Sequence, residues 1–348
     1  MRVIDLRSDT ITHPTDAMRK AMFEAEVGDD VFHEDPTVNR LEAKAAQRMG
    51  KEDALFTASG TMSNLLAVLT HTNHGNEIIL GSEAHMFWYE VGGAAALGGV
   101  VIHTVPNDSN GQLAIDDIEK AIRPKGNIHY PETTLLCLEN THNRCGGSVL
   151  TAEYTTRIAQ LAHAHGLKIH LDGARIFNAA IALGVSAQDL TKEVDSVSFC
   201  LSKGLSAPAG SLLCGSKEFV ERARKWRKMV GGGMRQVGVL AAAGIVALEK
   251  MVDRLTEDHK NARRLADGLV RIPGIKLAQD KIPTNILMFN ISPAFSSTQF
   301  VAKLNERGVK VGDRGGNRFR AVTNRMITAE DIEETLKIMD RVCREMMR

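Results

Sequence analysis

The stretch at residues 151–172, TAEYTTRIAQLAHAHGLKIHLD, decides the fold. Thr151 is a favoured N-cap residue, and apolar side chains at Ile158, Leu161 and Ala162 recur at helical spacing until Gly166, a residue that commonly ends helices. The β-rich run 168–171 follows directly. A helix that leads straight into an apolar strand is typical of the crossover connection in a parallel sheet.

The same alternation continues on both sides of this stretch, from about residue 64 to residue 214. Short β-rich runs take turns with longer amphipathic segments, which indicates an α/β fold with a largely parallel sheet between layers of helices. The predicted strands are residues 77–80, 100–103, 134–138, 168–171, 196–199 and 211–214.

The C-terminal third has a different pattern. A long helical pattern runs from Gly238 to about Val270, Pro273-Gly274 breaks it, and helices are predicted at 298–306 and 329–346 among further strands. We therefore expect a large domain over residues 1–245, which includes the N-terminal segment, and a smaller α+β domain over residues 246–348.

Composition excludes several classes of protein. Lys and Arg total 43 against 42 Asp and Glu, so no overall field attracts nucleic acid or anionic lipid. The charged start lacks the apolar core of a signal peptide, and the longest apolar stretch, 239–248, is about half of the ~20 residues that span a bilayer. We expect a cytoplasmic protein with no membrane segment and no metal site, since its five scattered cysteines form no C-x-x-C pair.

Three polar sites follow predicted strands, where open α/β sheets bind ligands, and they are Asp172, Lys203 and His85. Lys203, between Ser202 and Gly204, is suited to form an imine with an aldehyde cofactor, although a solvated surface lysine is the alternative. Asp172 is the residue type that keeps a pyridine nitrogen protonated, although Asp-Gly also occurs in ordinary turns and caps.

Other segments supply the remaining parts of such a site. Gly60 and Thr61 precede a helical pattern, where free N–H groups bind phosphate; a plain N-cap is the alternative. His85 lies beside three aromatic residues and is placed to stack on a flat cofactor, unless it is a packed core histidine. His129 precedes strand 134–138. No G-x-G-x-x-G follows a strand, which disfavours a dinucleotide enzyme.

The order of these motifs resembles the low-specificity L-threonine and L-allo-threonine aldolase family of fold-type I pyridoxal-phosphate (PLP) enzymes. That resemblance implies the aspartate-aminotransferase-like fold, with a mostly parallel seven-stranded sheet and a smaller α+β C-terminal domain. The motifs are DLRSDT at 5–10, VGDDV at 27–31, EDPTVN at 34–39, SGTM at 59–62, LENT at 138–141, HLDGAR at 170–175, LSKGL at 201–205 and GGGMRQ at 231–236.

The resemblance also implies a role for each matching residue. Lys203 forms the imine with pyridoxal 5′-phosphate, Asp172 pairs with the pyridine nitrogen, and His85 stacks on the ring. Gly60 and Thr61 hold the phosphate. The family forms homotetramers that are dimers of dimers, with sites at the subunit interfaces. At these sites the resemblance implies that Arg175 and Arg235 bind the cofactor. It also implies that Ser8, Arg175 and Arg320 bind the substrate carboxylate.

The sequence departs from the family pattern at two places. Phe32-His33 stands where Tyr-Gly is usual, which removes a hydroxyl near the substrate, and Asn324 stands where His is usual. Because Arg320 is kept, we expect the second change to spare the reaction.

The implied reaction is the reversible retro-aldol cleavage of β-hydroxy-α-amino acids to glycine and an aldehyde. A group that is neutral near pH 7 must take the β-hydroxyl proton, and His85, His129 or a water that they hold are the candidates. The rival functions are another PLP reaction on this fold, such as β-elimination or transamination, and a binding protein without catalysis.

Overall fold

The computed structural model describes residues 2–348. Its strands are β1 (Ile4–Asp5), β2 (Asp53–Thr57), β3 (Glu77–Gly81), β4 (Val101–Val105), β5 (Thr133–Glu139), β6 (Lys168–Asp172), β7 (Ser196–Cys200), β8 (Ser211–Gly215), β9 (Ile275–Leu277), β10 (Ile286–Ile291), β11 (Val309–Lys310), β12 (Gly312–Asp313) and β13 (Arg318–Val322). Its helices are α1 (Asp16–Phe23), α2 (Pro36–Met49), α3 (Gly60–His71), α4 (His85–Trp88), α5 (Gly93–Gly98), α6 (Ile115–Ala121), α7 (Ala152–Ala164), α8 (Ile176–Leu183), α9 (Ala187–Thr191), α10 (Lys217–Met229), α11 (Gly238–Lys250), α12 (Leu255–Leu269), α13 (Ser297–Glu306) and α14 (Ala329–Met346).

A seven-stranded sheet forms the centre of the larger core, in the order β2-β8-β7-β6-β5-β3-β4. Strands β7, β6, β5, β3 and β4 are parallel, whereas β8 pairs antiparallel with both β2 and β7. Every residue of β3, β7 and β8 is buried, as expected for a sheet that helices cover on both faces, whereas the edge strand β4 is mostly part-exposed. The structure confirms the predicted α/β class, the strand count and each of the six predicted strands to within two residues.

The crossover through α7 confirms the interpretation of residues 151–172. The Thr151 hydroxyl accepts a hydrogen bond from the backbone N–H of Tyr154, which caps the helix, and Gly166 adopts a φ of 77° just after the helix ends. Ile158 and Ala162 are fully buried against the sheet. Since β5 and β6 are parallel neighbours, this crossover brings Glu139 and Asp172 to the same edge.

A second sheet lies in the C-terminal third, in the order β12-β13-β10-β9, and helices α12, α13 and α14 pack into the same core. The chain's first strand also belongs here, because β1 pairs parallel with β11 and Ile4 and Leu6 are buried in this core. The predicted division at residues 245 and 246 lies inside α11 and stays a prediction.

The single long helix predicted from Gly238 to Val270 is wrong, since the structure has two helices there. Helix α11 ends at Lys250 and α12 begins at Leu255, with a turn between them. The cause is packing: Ala243 and Ala247 of α11 lie in the large core, whereas Leu265 and Leu269 of α12 lie in the small one. The apolar period continues across the turn, so the sequence pattern hides it. Within residues 2–348, no helix is both long and apolar enough to cross a bilayer.

Candidate active site

The carboxyl ends of the parallel strands bring several polar side chains together. Asp172 ends β6, Glu139 ends β5, and Lys203 lies in the turn that follows β7. The ammonium of Lys203 is half-buried and lies near enough for its charge to lower the pKa of both Asp172 and Asp9. The structure therefore joins Lys203 and Asp172 at one edge of the sheet, as a crevice beyond the strands requires.

Asp172 is buried and held as a carboxylate. Its Oδ2 accepts a hydrogen bond from Asn64 Nδ2 at 2.9 Å, and its Oδ1 accepts one from the backbone N–H of Ala174 at 3.1 Å. Burial acts to raise the pKa of Asp172, but the charges of His85 and Lys203 outweigh it and hold this pKa below its ordinary value. A buried, ionised carboxylate at this place can pair with a cationic ring nitrogen.

His85 opens α4, and its imidazole faces the same cluster. Its Nδ1 lies 2.8 Å from Glu90 Oε1, and its backbone N–H donates to Glu139 Oε2 at 2.6 Å. Burial acts to lower the pKa of His85, but the hydrogen bond with Glu90 and the charge of Asp172 raise this pKa above its ordinary value. The Tyr89 ring lies 5.3 Å away, centroid to centroid. Glu90 thus fixes the ring and leaves Nε2 for another partner.

The amino end of α3 supplies an anion site beside these residues. The Ser59 hydroxyl accepts the N–H of Met62, whereas the N–H groups of Gly60 and Thr61 donate to no protein acceptor within residues 2–348. A Cβ on Gly60 would lie 2.8 Å from Cys200 Sγ, so only glycine fits there without a shift. Free N–H groups at the end of a twelve-residue helix favour a phosphate.

Arg175 and Arg320 are both buried and lie close together in the same cluster. Arg175 donates through Nε and Nη2 to both oxygens of Asp9, at 2.7 and 2.6 Å. Arg320 donates to Asn143 Oδ1 at 2.6 Å and to the backbone carbonyl of Arg7 at 2.9 Å. Burial, with the nearby charge of Arg175, lowers the pKa of Arg320 to about 9. Two close guanidinium groups favour an anionic ligand such as a carboxylate.

Ser8 lies in the N-terminal segment between these arginines. Its Oγ accepts hydrogen bonds from the backbone and hydroxyl of Thr10, and its carbonyl accepts one from Asn324 Nδ2 at 3.5 Å. Asn324 is fully buried, so the residue that departs from the family pattern supports the backbone of Ser8. The structure thus groups Ser8, Arg175 and Arg320 together.

Two predicted site residues lie elsewhere in the single chain. His129 is exposed in the loop before β5, at the edge of the sheet opposite to Asp172, and its role stays a prediction. Arg235 is half-exposed and pairs with Asp29 at 2.9 Å, which leaves a role at a neighbour's site as a prediction. Phe32, in the other departing segment, is 67% exposed.

Four buried residues of the cluster are not predicted from the sequence. Asp9 and Glu139 lie within the DLRSDT and LENT motifs, which is a usable signal, but sequence spacing indicates no partner for either. Asn64 and Glu90 have no sequence signal, because only the packing of α3 against β6 and against the segment after α4 reveals their contacts. Asp9 holds Arg175, and Glu139 holds the backbone of His85. Asn64 holds Asp172, and Glu90 holds the His85 ring.

Comparison with known proteins agrees with this geometry. A family model described as beta-eliminating lyase matches residues 5–292. A probable low-specificity L-threonine aldolase 2 of Arabidopsis thaliana is 48% identical over 346 residues, 98% of each chain. The low specificity L-threonine aldolase of Escherichia coli K12 is 47% identical over 289 residues, 83% of this chain and 85% of that one. The chain belongs to this aldolase family.

A solved structure shows the same fold at lower identity. The threonine aldolase of Leishmania major superposes with a TM-score of 0.84 over 97% of this chain and 99% of that one, at 20% identity. Because the present chain belongs to the aldolase family, its cofactor is pyridoxal phosphate. The residues of its candidate site fit this cofactor. They offer a lysine amine, an ionised carboxylate, an imidazole and an unfilled helix end, each at the same edge of the sheet.

Proposed function

We propose that this enzyme cleaves L-threonine, L-allo-threonine and related β-hydroxy-α-amino acids reversibly to glycine and an aldehyde, with pyridoxal 5′-phosphate as cofactor. The observation that carries this proposal is the convergence of Lys203 and Asp172 with the paired Arg175 and Arg320 at one sheet edge. The first pair suits the cofactor and the second suits the carboxylate of an amino acid.

The residues that would bind the cofactor come from four parts of the chain, namely the turn after β7, strand β6, helix α3 and helix α4. Lys203 would hold its aldehyde carbon, Asp172 its ring nitrogen, and Gly60 and Thr61 its phosphate, while His85 would cover the ring. When bound, the cofactor supplies a cationic ring that accepts electrons from the Cα of the substrate. Asp172 favours this by keeping the ring nitrogen protonated, because its own pKa lies below the ordinary value.

Arg175, Arg320 and Ser8 orient the substrate through its carboxylate. The Nη1 of Arg175 donates to no protein acceptor within residues 2–348, and Arg320 Nε is buried without a partner among the same residues. Donors that the protein leaves unfilled in a buried site favour an external acceptor. A carboxylate held by both arginines has a fixed orientation relative to Lys203.

The β-hydroxyl proton requires a base, and His85 is the candidate that this single chain positions. Glu90 holds Nδ1, so Nε2 is the nitrogen that accepts a proton when the ring is neutral. Because Glu90 and Asp172 raise the pKa of His85 against the effect of burial, a larger share of His85 takes this neutral form as the pH rises. Water held by His85 is an equivalent route. His129 can serve only if another subunit brings it to the site, since it lies at the opposite sheet edge of its own chain.

Assembly and location belong to the same proposal. We expect a cytoplasmic homotetramer in which Arg235 reaches the cofactor of a neighbouring subunit. The half-exposed position of Arg235 and the exposed Phe32 support this arrangement, since both surfaces are available to a second copy.

The test compares Lys203→Ala with Lys51→Ala, a change at another partly buried lysine whose ammonium donates to the Val194 carbonyl at 2.6 Å. Each purified protein, with cofactor added, receives threonine or allo-threonine. We expect glycine and acetaldehyde from the parent and from Lys51→Ala, and no turnover from Lys203→Ala. Parent-like release of acetaldehyde by Lys203→Ala would refute the assignment. Ammonia with a 2-oxo acid, instead of glycine with acetaldehyde, would indicate the β-eliminating alternative.

A further inference from the structure

Asn64 lies beneath the site, on the second turn of α3, and it is 1% exposed. Its side-chain nitrogen donates to Glu90 Oε1 at 2.8 Å and to Asp172 Oδ2 at 2.9 Å. Its side-chain oxygen lies 2.8 Å from Ser198 Oγ and 3.1 Å from His170 Nε2. One buried amide therefore contacts four polar groups, which fills all its hydrogen-bonding capacity.

The two carboxylates determine which way this amide points. Glu90 and Asp172 accept hydrogen bonds, so the NH₂ group of Asn64 must face them and its oxygen must face the opposite side. That oxygen can only accept, and His170 Nε2 must therefore carry a hydrogen. The hydrogen-bond pattern places a hydrogen on His170 Nε2. Burial lowers the pKa of this residue to about 4, so the ring is neutral near pH 7 and Nδ1 is an acceptor.

The pattern continues away from the site through a serine to a second histidine. His170 Nδ1 lies 2.9 Å from Ser196 Oγ, and Ser196 Oγ lies 2.8 Å from His71 Nε2. Because the Ser196 hydroxyl donates its only hydrogen to His170, His71 must also donate through Nε2. Burial lowers the pKa of His170 to about 4 and that of His71 to about 3, which agrees with two neutral rings.

This chain of groups orients the site and does not conduct protons. An amide nitrogen does not exchange its hydrogens readily enough to pass one on, so Asn64 interrupts any path between His170 and Asp172. What Asn64 provides is one N–H for each of two neighbouring carboxylates. Without it, repulsion between Glu90 and Asp172 would favour protonation of one of them.

We propose that Asn64 is a positioning residue for Asp172, and that His170, as the Nε2-protonated neutral ring, sets the orientation of the Asn64 amide. The proposal rests on the proposed function only in taking Asp172 as the partner of the cofactor ring. Asn64 keeps Asp172 ionised and in place, and it keeps Glu90 available to His85. Neither Asn64 nor His170 touches the substrate.

The first experiment reads the hydrogen positions directly. Long-range ¹⁵N–¹H NMR of the holoenzyme, labelled at its histidines, distinguishes the two neutral forms of each ring, and loss of a signal in His170→Gln assigns it. We expect His170 and His71 to be neutral and protonated at Nε2 from pH 5 to pH 9. The groups whose charges act on the pKa of His71 are His170, Asp195, Lys168 and Arg222, and the group whose charge acts on the pKa of His170 is Asp172. A His170 ring protonated at Nδ1, or one that titrates in this range, would overturn the proposal.

The second experiment measures cofactor binding and kinetics in matched variants. In Asn64→Leu and His170→Leu we expect the cofactor dissociation constant to rise by about tenfold or more, as when a hydrogen bond to a charged group is lost. The threonine kcat should fall with a much smaller change in KM. His170→Gln, whose amide nitrogen can occupy the place of His170 Nε2, should restore most of the affinity.

His259→Leu is the control for a purely structural effect. This histidine is equally buried, and its Nε2 lies 2.9 Å from Asn178 Oδ1, but it has no contact with Asp172. We expect it to lower stability and to leave cofactor affinity unchanged. If His170→Leu behaved like His259→Leu, the positioning role would be refuted. Because cofactor titration and NMR need no substrate, a failure of the aldolase reaction would leave these readouts unaffected.

Discussion

Two buried Arg–Asp pairs in this molecule have nearly the same local geometry and yet serve different purposes. Arg175 pairs with Asp9 at 2.6 Å beside the site, and Arg227 pairs with Asp30 at 2.6 Å beneath α10. All four side chains are at most 6% exposed. Burial and ion pairing alone therefore do not distinguish a functional arginine from a structural one.

The surroundings of each arginine make the distinction. Arg227 gives Nη1 to the backbone carbonyl of Phe56 at 2.7 Å, so that it ties α10 to β2, and its Nε is buried without a partner. An unfilled donor by itself therefore does not indicate a ligand site. Arg175 gives Nε and Nη2 to Asp9 and lies close enough to Arg320 for its charge to lower the pKa of that residue. A buried pair beside a second arginine indicates an anion site, whereas a pair that ends on backbone indicates a structural tie.

Arg175→Met should have the largest effect, because it damages both stability and binding. Leaving Asp9 buried without its partner costs roughly 3–5 kcal/mol of unfolding free energy. Loss of the contact with the substrate carboxylate should lower kcat/KM by about 10²-fold, mainly through KM. Urea unfolding and steady-state kinetics measure the two effects. A normal KM for threonine would contradict the substrate role.

Arg227→Met should produce only the first of these effects. Asp30 loses its partner, and we expect the unfolding free energy to fall by roughly 3–5 kcal/mol. The kcat/KM per folded molecule should stay at the parent value, since Arg227 contacts no residue of the site. The comparison fails if Arg227→Met raises KM as much as Arg175→Met does at equal folded fraction.

The acid stability of the protein should depend on Asp9. Burial acts to raise the pKa of Asp9, but the charge and hydrogen bonds of Arg175 hold it far below the ~3.9 of an unfolded chain. This stabilisation is therefore fully present above about pH 5 and is lost as the pH falls. Asp9→Asn should flatten the loss of unfolding free energy between about pH 5 and pH 3, by at most about 1.4 kcal/mol per pH unit.

Glu42→Gln provides a control of opposite sign for that measurement. Burial raises the pKa of Glu42 despite its ion pair with Arg224, so the folded chain binds this proton more tightly than the unfolded chain does. Glu42→Gln should therefore steepen the loss of unfolding free energy as the pH falls, whereas Asp9→Asn should flatten it. Equal slopes in both variants would mean that Asp9 is not held ionised by Arg175.

Arg235→Ala should have the smallest effect on folding. Its pair with Asp29 is 52% exposed on the arginine side, and such pairs contribute less than about 1 kcal/mol. If Arg235 reaches a neighbour's cofactor, the variant should nevertheless bind pyridoxal phosphate severalfold more weakly. Unchanged affinity in an intact oligomer would remove Arg235 from the site.

The sequence predicts best where local pattern and chain order carry the information. Asp172 and Lys203 are predictable because each follows an apolar strand, and the order of strands in a parallel sheet brings their ends together. The turn between α11 and α12 is not predictable, because apolar residues continue through it while the partner core changes. A periodic pattern indicates which face is buried and not which core buries it.

The contacts of the site were predictable only in part. Arg175 was assigned by resemblance, but its partner Asp9 lies 166 positions away, and no spacing rule links them. The role of Asn64 has no signal in the sequence, since it depends on the rotation of α3 about its axis. His129 shows the reverse case: the sequence names it, but one chain alone does not bring it to Asp172.

The placement of β1 in the C-terminal core has a consequence for biosynthesis. Leu6 donates to the carbonyl of Lys310 and accepts from Val322, and Arg320 binds the carbonyl of Arg7 across 313 positions. The ribosome makes β1 long before β11 and β13, which are the partners of β1 and of the residues that follow it. The large core can form earlier, but the part of the site that holds Ser8 and Arg320 is completed only after β13 has emerged. A chain truncated before β13 would therefore retain Lys203 and Asp172 without an assembled carboxylate pocket.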